Sequence, residues 1–239
     1  MHNTIVINFL KLINNHLYIY AISMETLIIL NNKKCVLPKE FQIDDNRFPE
    51  SLVEYLLEKF TKKGNIVFDP FAGLGTSLIV SEKTGRIPFG IEFDKNRYSY
   101  IKSKLTHKEN IIYWNSLKLS TYKLPQIDFS LTSPPYNPIG KHNYLSGKGG
   151  YEWYLKDMWI IYSQLRKYMK KNSYIVIEVS NLKGKEVTTL ARDIAREVSK
   201  IFHFEGEIII GWKGKWALKW NGNYGYGYDH SYCLVFKNI

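Results

Sequence analysis

The chain has 239 residues, of which 45% are hydrophobic and 15% aromatic, and its formal charge is +11. This length fits one α/β domain or at most two small ones, and this composition excludes a globally disordered protein. The two cysteines, Cys35 and Cys233, are too few for a disulfide framework or a cysteine-rich zinc module. We therefore expect an intracellular, cytoplasmic globular protein.

The chain carries 33 Lys and Arg against 22 Asp and Glu, an excess that indicates a polyanionic partner. Nucleic acid is the common partner of this kind. The positive charge is concentrated in the second half of the chain. Charge alone leaves open the alternative of a generally basic surface without such a partner.

Residues 1–45 are interpreted as an N-terminal extension, and residues 46–239 as a single domain. The apolar residues of 1–30 are interrupted by Asn, Lys and His, so we expect no membrane span. We expect no secretory signal either, because the n-region has no Lys or Arg and no small-residue cleavage site follows. A translation start at Met24 would make residues 1–23 an upstream extension. An edge strand or a helix packed on the domain is the alternative interpretation of this segment.

Helical and strand patterns alternate from residue 50 onwards. Apolar residues at helical spacing predict helices, and short apolar runs bounded by turn residues predict strands. The predicted elements are, in chain order, helix 51–60, strand 65–69, a helix through 78–80, strand 87–92, helix 95–105, strands 110–114 and 127–131, helix 153–169, strand 173–179, helix 187–202, and strands 207–210 and 231–236. This alternation is typical of a mostly parallel sheet with helices on both faces.

A glycine-rich turn of sequence DPFAGLGT begins at Asp69, between a predicted strand and a predicted helix. Glycines allow a sharp turn and a close approach of the backbone to a ligand. Glu92 ends the next strand, at about the 20-residue spacing at which an acid binds the ribose hydroxyls. The turn lacks the third glycine of the dinucleotide fingerprint, and no phosphate-binding Lys follows. The pattern favours a nucleoside-type cofactor without phosphates over NAD or ATP, with a merely tight connection as the alternative.

The sequence Thr132-Ser133-Pro134-Pro135-Tyr136 follows the fourth predicted strand. The two prolines forbid helix and supply no N–H donor, so the Ser133 hydroxyl and the neighbouring carbonyls remain as acceptors. Tyr136 offers a ring face for stacking. This set suits a planar base that bears an amino group, and the alternative is a rigid Pro-Pro connection with an exposed tyrosine.

The run DPFAGLGT, then GIEFD, then TSPPY resembles the S-adenosylmethionine-dependent amino-methyltransferases of DNA, over about residues 48–236. The resemblance implies a Rossmann-like α/β methyltransferase fold with an antiparallel C-terminal strand, and S-adenosylmethionine as the cofactor. It implies catalysis by Ser133, Pro134, Pro135 and Tyr136. It assigns the cofactor contacts to Phe48, Pro49, Asp69, Phe71, Gly73, Gly75, Glu92, Phe93 and Asn115.

Two positions depart from the pattern of this family. Asn115 stands where many relatives carry Asp, which leaves a hydrogen bond to adenine without a charge. His230 is followed by Ser231 rather than by an acid.

The resemblance implies transfer of a methyl group to the exocyclic nitrogen of cytosine (N4) or adenine (N6). Hydrogen-bond acceptors around the amino group would direct the nitrogen lone pair at the methyl group. The sulfonium is already an activated electrophile, so catalysis needs mainly alignment and charge stabilisation. We expect no metal and no covalent intermediate. The target base is out of reach in a stacked duplex, which predicts base flipping. Family members with Ser in the first position of this motif tend to methylate N4 of cytosine, and those with Asp or Asn tend to methylate N6 of adenine. Ser133 therefore favours cytosine over adenine.

The expected macromolecular partner is double-stranded DNA, with a dimer partner as a source of further contacts. One candidate contact segment is 137–150, and the other, 211–229, interleaves lysines with Trp and Tyr. The second segment has an alternative interpretation as a long hairpin that packs its aromatic residues on the body. The candidate nucleic-acid contacts are Lys141, His142, Lys148, Lys213, Lys215 and Lys219.

Three other functions compete with this one. An RNA base methyltransferase would use the same chemistry, although the sequence shows no appended RNA-binding module. A cofactor-regulated nucleic-acid-binding protein would need no intact site, whereas this site is intact. A protein or small-molecule methyltransferase would not need the positive charge.

Overall fold

The computed structural model of the protein describes residues 6–13, 16–23, 26–43, 45–135, 150–183, 187–213 and 230–239. The helices of the described residues are α1 (Glu50–Phe60), α2 (Thr76–Lys83), α3 (Lys95–Lys104), α4 (Tyr151–Leu165) and α5 (Leu190–Val198). The strands are β1 (Val6–Ile13), β2 (His16–Ser23), β3 (Leu27–Asn31), β4 (Ile66–Asp69), β5 (Ile87–Glu92), β6 (Ile111–Tyr113), β7 (Ile127–Thr132), β8 (Met169–Val179), β9 (Leu182–Lys183), β10 (Val187–Thr188), β11 (His203–Lys213) and β12 (His230–Lys237). Short 3-10 helices span Lys39–Phe41, Lys108–Asn110 and Ser116–Thr121.

An eight-stranded sheet has the strand order β3-β11-β12-β8-β7-β4-β5-β6. Strands β8, β7, β4, β5 and β6 run parallel to one another, and β12 is antiparallel to both of its neighbours. The predicted fold class, a mostly parallel sheet with an antiparallel C-terminal strand, is therefore confirmed.

Apolar cores lie on both faces of this sheet. On one face Tyr162 and Leu165 of α4 and Ile194 of α5 pack over β7, β8 and β12. On the other face Leu52 and Leu56 of α1 pack against a second set of strand residues. The helices on the two faces bury the apolar parallel strands, as the alternating pattern predicts.

Two predicted helices are shorter than their apolar spacing suggests. The helix predicted to reach Met169 ends at Leu165, and Met169 instead begins β8, opposite Ile127 of β7. The helix predicted from Val187 begins at Leu190, because Val187 pairs with Lys183 in a short antiparallel ladder. In both cases the flanking apolar residue continues the helical period by chance and is used by a strand.

The N-terminal segment contributes to the sheet. Strand β3 lies within the segment predicted as an extension, and it pairs in parallel with β11 as the edge of the large sheet. Strands β1 and β2 form a separate antiparallel hairpin. The division at residue 45 stays a prediction.

Among the described residues, no helix combines the length and the apolar character that crossing a bilayer requires.

Candidate active site at the carboxyl edge of the sheet

Three parallel strands end in polar side chains at one edge of the sheet. Strand β4 ends at Asp69, β5 at Glu92 and β7 at Thr132. Since β4 lies between β5 and β7, these side chains are brought together although the chain separates them widely. Ligands of open α/β sheets bind at this carboxyl edge.

Asp69 connects the glycine-rich turn to the TSPPY segment. Its Oδ1 accepts hydrogen bonds from the Phe71 N–H at 2.9 Å and from the Thr132 hydroxyl at 2.5 Å. The Ser77 hydroxyl donates to Oδ2. Burial raises the pKa of Asp69 to about 6, although these donors act in the opposite direction. The carboxylate therefore holds the turn, the helix α2 and the end of β7 in one arrangement.

Glu92 has the acceptor capacity that a ribose requires. Its Oε2 accepts from the Gly73 N–H at 2.7 Å, and its Oε1 accepts from the Asp94 N–H at 2.8 Å. An ionised carboxylate has about four acceptor positions, so two remain for a vicinal diol. Burial raises the pKa of Glu92 to about 7, because the two backbone donors compensate it incompletely.

The two glycines of the turn have different reasons to be glycine. Gly75 has φ +77°, and a Cβ there would lie 2.9 Å from Cγ1 of Ile101, so packing excludes a side chain. Gly73 has φ +57°, but a Cβ there would meet no atom nearer than the Phe71 carbonyl oxygen at 3.8 Å. The space beside Gly73 is therefore open to a ligand, next to the carboxylate of Glu92.

The predicted methionine-side segment is anchored by ion pairs. Arg47 donates from Nε and Nη2 to the two carboxylate oxygens of Asp45, at 2.8 and 3.0 Å, and from Nη2 to the Cys35 carbonyl. Arg47 Nη1 also lies 3.5 Å from Glu50 Oε1. These contacts fix the backbone directly before Phe48 and Pro49.

Phe48 is half-buried and packs against the α1 side of the core, and Pro49 is buried. Phe93 is 52% exposed directly after Glu92, which leaves its ring available to an adenine. The Asn115 side-chain oxygen accepts from the Leu117 N–H at 2.9 Å and caps a 3-10 helix. Asn115 thus has a structural role at a position that the resemblance assigns to the cofactor.

The described part of the tetrapeptide follows β7 directly. Ser133 and Pro135 are half-buried and Pro134 is buried. Lys213 ends β11 with an exposed side chain. The predicted residues that lie outside the described ranges are Tyr136, Lys141, His142, Lys148, Lys215 and Lys219.

Sequence reasoning missed the polar partners of the site. Thr132 and Ser77 were not singled out, because a hydroxyl residue carries no signal of a partner 63 or 8 positions away.

Glu178 is 7% exposed on β8, and Thr132 pairs with its neighbour Ile177. Burial lowers the pKa of Lys34, whereas Asp45 and Glu178 act in the opposite direction. An acid inside the apolar run SYIVIEV was the available signal for Glu178.

No group of three or more His, Cys, Asp or Glu side chains within the described ranges is placed to hold a metal ion.

Residues 31–103 match the sequence model of the DNA methylase family, with N6 and N4 specificities in its name. This segment, which we call the methylase segment, is similar to the N6/N4 DNA methylases. The methylase segment begins at the last residue of β3 and includes the anchored Phe48-Pro49 pair, the DPFAGLGT turn and Glu92. The resemblance of these motifs to the amino-methyltransferases of DNA is thereby confirmed.

Curated relatives of the chain are methyltransferases by name. The orphan methyltransferase M.BamHII of Bacillus amyloliquefaciens is 34% identical over 34% of this chain and 29% of its own length. The type II methyltransferase M.HindIII of Haemophilus influenzae is 33% identical over 29% of this chain and 23% of its own length. The chain thus spans less than a third of the length of these relatives.

Solved structures share the fold. TrmN from Thermus thermophilus superposes with a TM-score of 0.57 at 14% identity, over 80% of this chain and 49% of that one. A TehB-like S-adenosylmethionine-dependent methyltransferase from Corynebacterium glutamicum gives a TM-score of 0.51 at 14% identity, over 77% and 85% of the two chains. The methylase family and this fold both imply S-adenosylmethionine as the cofactor.

Proposed function

We propose that the protein transfers a methyl group from S-adenosylmethionine to the exocyclic amino group of a flipped base in double-stranded DNA. N4 of cytosine is the favoured target, and N6 of adenine is the alternative. The observation that carries this proposal is the hydrogen bond between Asp69 and Thr132, which joins the cofactor turn to the TSPPY segment.

Cofactor binding is assigned to the edge formed by β4 and β5. Glu92 would hold the ribose hydroxyls, Phe93 would contact the adenine, and the open space beside Gly73 would admit the part of the cofactor that carries the sulfonium. Phe48 and Pro49 bound the methionine end. The group itself supplies an activated methyl, so the protein has to provide position and a suitable acceptor environment.

The Ser133 hydroxyl and the Pro134 carbonyl are assigned to accept hydrogen bonds from the base amino group. The nitrogen lone pair is delocalised into the ring, and these acceptors favour the pyramidal form that directs it at the methyl group. Tyr136 is assigned to stack on the base, which offsets part of the cost of unstacking with about 1–3 kcal/mol. Ser133 is half-buried, and partial shielding from water strengthens such hydrogen bonds, because water competes for them less.

Double-stranded DNA is proposed as the substrate because of the net charge of +11 and the match of residues 31–103 to the DNA methylase model. The exposed Lys213 and the predicted lysines of 137–150 and 211–229 would neutralise phosphates. The preference for cytosine depends on the association between Ser in the first motif position and methylation of N4 of cytosine. A homodimer would supply contacts beyond the short recognition segments.

The test measures the modified nucleoside directly. The protein is incubated with methyl-labelled S-adenosylmethionine and either mixed-sequence duplex DNA or total RNA, and the digested nucleosides are analysed by mass spectrometry. Label in N4-methylcytosine supports the proposal, and label in N6-methyladenine supports its alternative. Label in RNA alone, or no label with cofactor bound, contradicts both. Tyr136→Ala is the control that should lose the label.

A further inference from the structure

A cluster of aromatic rings and lysines borders the site on the β6 side. We define the aromatic–lysine surface as Tyr98, Lys102, Tyr113, Trp114 and Lys118. The Trp114 N–H donates to the carbonyl of Glu92 at 3.0 Å, which joins this surface to the cofactor edge. Tyr113 is the last residue of β6 and Trp114 comes directly after it. Both therefore lie at the carboxyl edge of the sheet, the edge that carries Thr132.

The surface consists of two ring–lysine groups, which the adjacent residues Tyr113 and Trp114 join through the backbone. The rings of Tyr98 and Tyr113 lie 5.4 Å apart between centroids. Lys102 Nζ lies 5.4 Å from the centroid of the Tyr98 ring and donates to its hydroxyl at 3.0 Å. Lys118 Nζ lies 5.6 Å from the centroid of the Trp114 ring. Each ammonium group is thus held over a ring instead of extending freely into water.

Two of the rings are more exposed than core packing requires. Tyr113 and Trp114 remain 47% and 45% exposed, so the aromatic rings are not placed there to fill the interior. Lys102 and Lys118 are exposed, and neither forms an ion pair with a carboxylate of the described ranges. Unpaired cations that are held in place have less entropy to lose on binding an anion.

We propose that the aromatic–lysine surface contacts the sugar–phosphate backbone of duplex DNA that flanks the target base. The ammonium groups of Lys102 and Lys118 would each neutralise a phosphate, while the Tyr98 hydroxyl and the indole N–H of Trp114 would be further phosphate donors. The positive charge of these ammonium groups is complementary to the phosphates of DNA. The surface lies at the carboxyl edge of the sheet, which places it beside the candidate active site. This inference rests on the proposed function, because it takes the DNA to be the substrate.

The experiment measures how DNA affinity depends on salt. Binding of the full-length protein to a fluorescent mixed-sequence duplex is followed by anisotropy between about 50 and 200 mM salt, for wild type, Lys102→Gln and Lys118→Gln. Each lost phosphate contact should reduce the slope of log affinity against log salt by about 0.9. Between about 50 and 200 mM salt, each lysine variant should therefore lose three- to four-fold less affinity for DNA than wild type loses.

The matched control is Lys237→Gln. Lys237 also lies over a ring, 5.3 Å from the centroid of Tyr174, but at the opposite end of the sheet. Its slope should equal that of wild type. Cofactor affinity, measured by calorimetry, should be unchanged in all three variants, because the lysines lie outside the cofactor residues.

The outcomes separate this inference from the proposed function. Unchanged slopes in both lysine variants, while wild type binds and methylates DNA, would overturn the inference alone. Lysine-dependent binding without methyl transfer would support the surface and contradict the proposed function. A loss of cofactor affinity in Lys118→Gln would assign the surface to the cofactor and overturn the inference.

Discussion

Replacing Thr132 by Val removes one hydroxyl and leaves the shape of the side chain almost unchanged. The hydroxyl donates to the buried carboxylate of Asp69 at 2.5 Å. A hydrogen bond to a charged group contributes about 1.5–3 kcal/mol to stability. For a domain of this size, about 2–4 °C per kcal/mol predicts a fall in melting temperature of about 3–12 °C.

The loss should depend on pH. Burial already raises the pKa of Asp69 to about 6 from 3.8, and removing a donor raises it further. A carboxyl whose pKa is raised by folding binds protons more tightly in the folded state, so stability falls as pH rises between the two pKa values. The Thr132→Val variant should therefore be destabilised strongly at pH 8 and less at pH 5, where Asp69 is protonated.

The same change should affect catalysis, because Thr132 directly precedes Ser133. Misplacement by about 1 Å costs about a hundred-fold in rate, so we expect kcat to fall ten- to a hundred-fold while cofactor affinity stays within about two-fold. Thr132→Ser keeps the hydroxyl and should restore most of kcat. A Val variant as stable and as active as wild type at pH 8 would refute the coupling through Asp69.

Wild-type affinity for the cofactor should fall about tenfold per pH unit below pH 7, since only the ionised carboxylate of Glu92 accepts both ribose hydroxyls. Glu92→Gln should remove this pH dependence in calorimetric titrations. Gly75→Ala should unfold at markedly lower denaturant than wild type, because its Cβ meets an isoleucine side chain at 2.9 Å and φ is +77°. Gly73→Ala should cost only about 1 kcal/mol of stability yet weaken cofactor binding, and equal binding by both proteins would contradict an open ligand space there. Arg47→Lys should reduce cofactor affinity several-fold with little change in folding, because Lys cannot form the two-atom contact with Asp45, and an unchanged affinity would detach this anchor from the site.

The alternating pattern predicted the sheet well because parallel strands buried on both faces are short, apolar and bounded by turns. The prediction of strand 87–92 agrees with β5 at both ends. It failed at Met169 and Val187, where an apolar residue continues a helical period but pairs in a strand. Periodicity reports burial on a face, and it does not report which backbone partner a residue finds.

Local motifs predicted the acids of the site, Asp69 and Glu92, since each stands beside glycines or at the end of a strand. The partners of these acids were not predictable in the same way. Thr132 is 63 positions from Asp69, and only the order of strands brings them together. The predicted strand 110–114 correctly includes Tyr113 of β6, but nothing in the sequence indicated that the rings of Tyr113 and Trp114 are exposed.

The pairing of β3 with β11 has a consequence for synthesis on the ribosome. Leu27 of β3 lies opposite Ile209 of β11, so the strand has no partner until most of the chain has been made. At about 5–20 residues per second, translation from Leu27 to Ile209 takes about 10–40 s. During that interval β3 presents an unpaired apolar edge that chaperones can bind. A nascent chain arrested before residue 203 would keep this edge open, whereas a chain extended beyond residue 213 can close it.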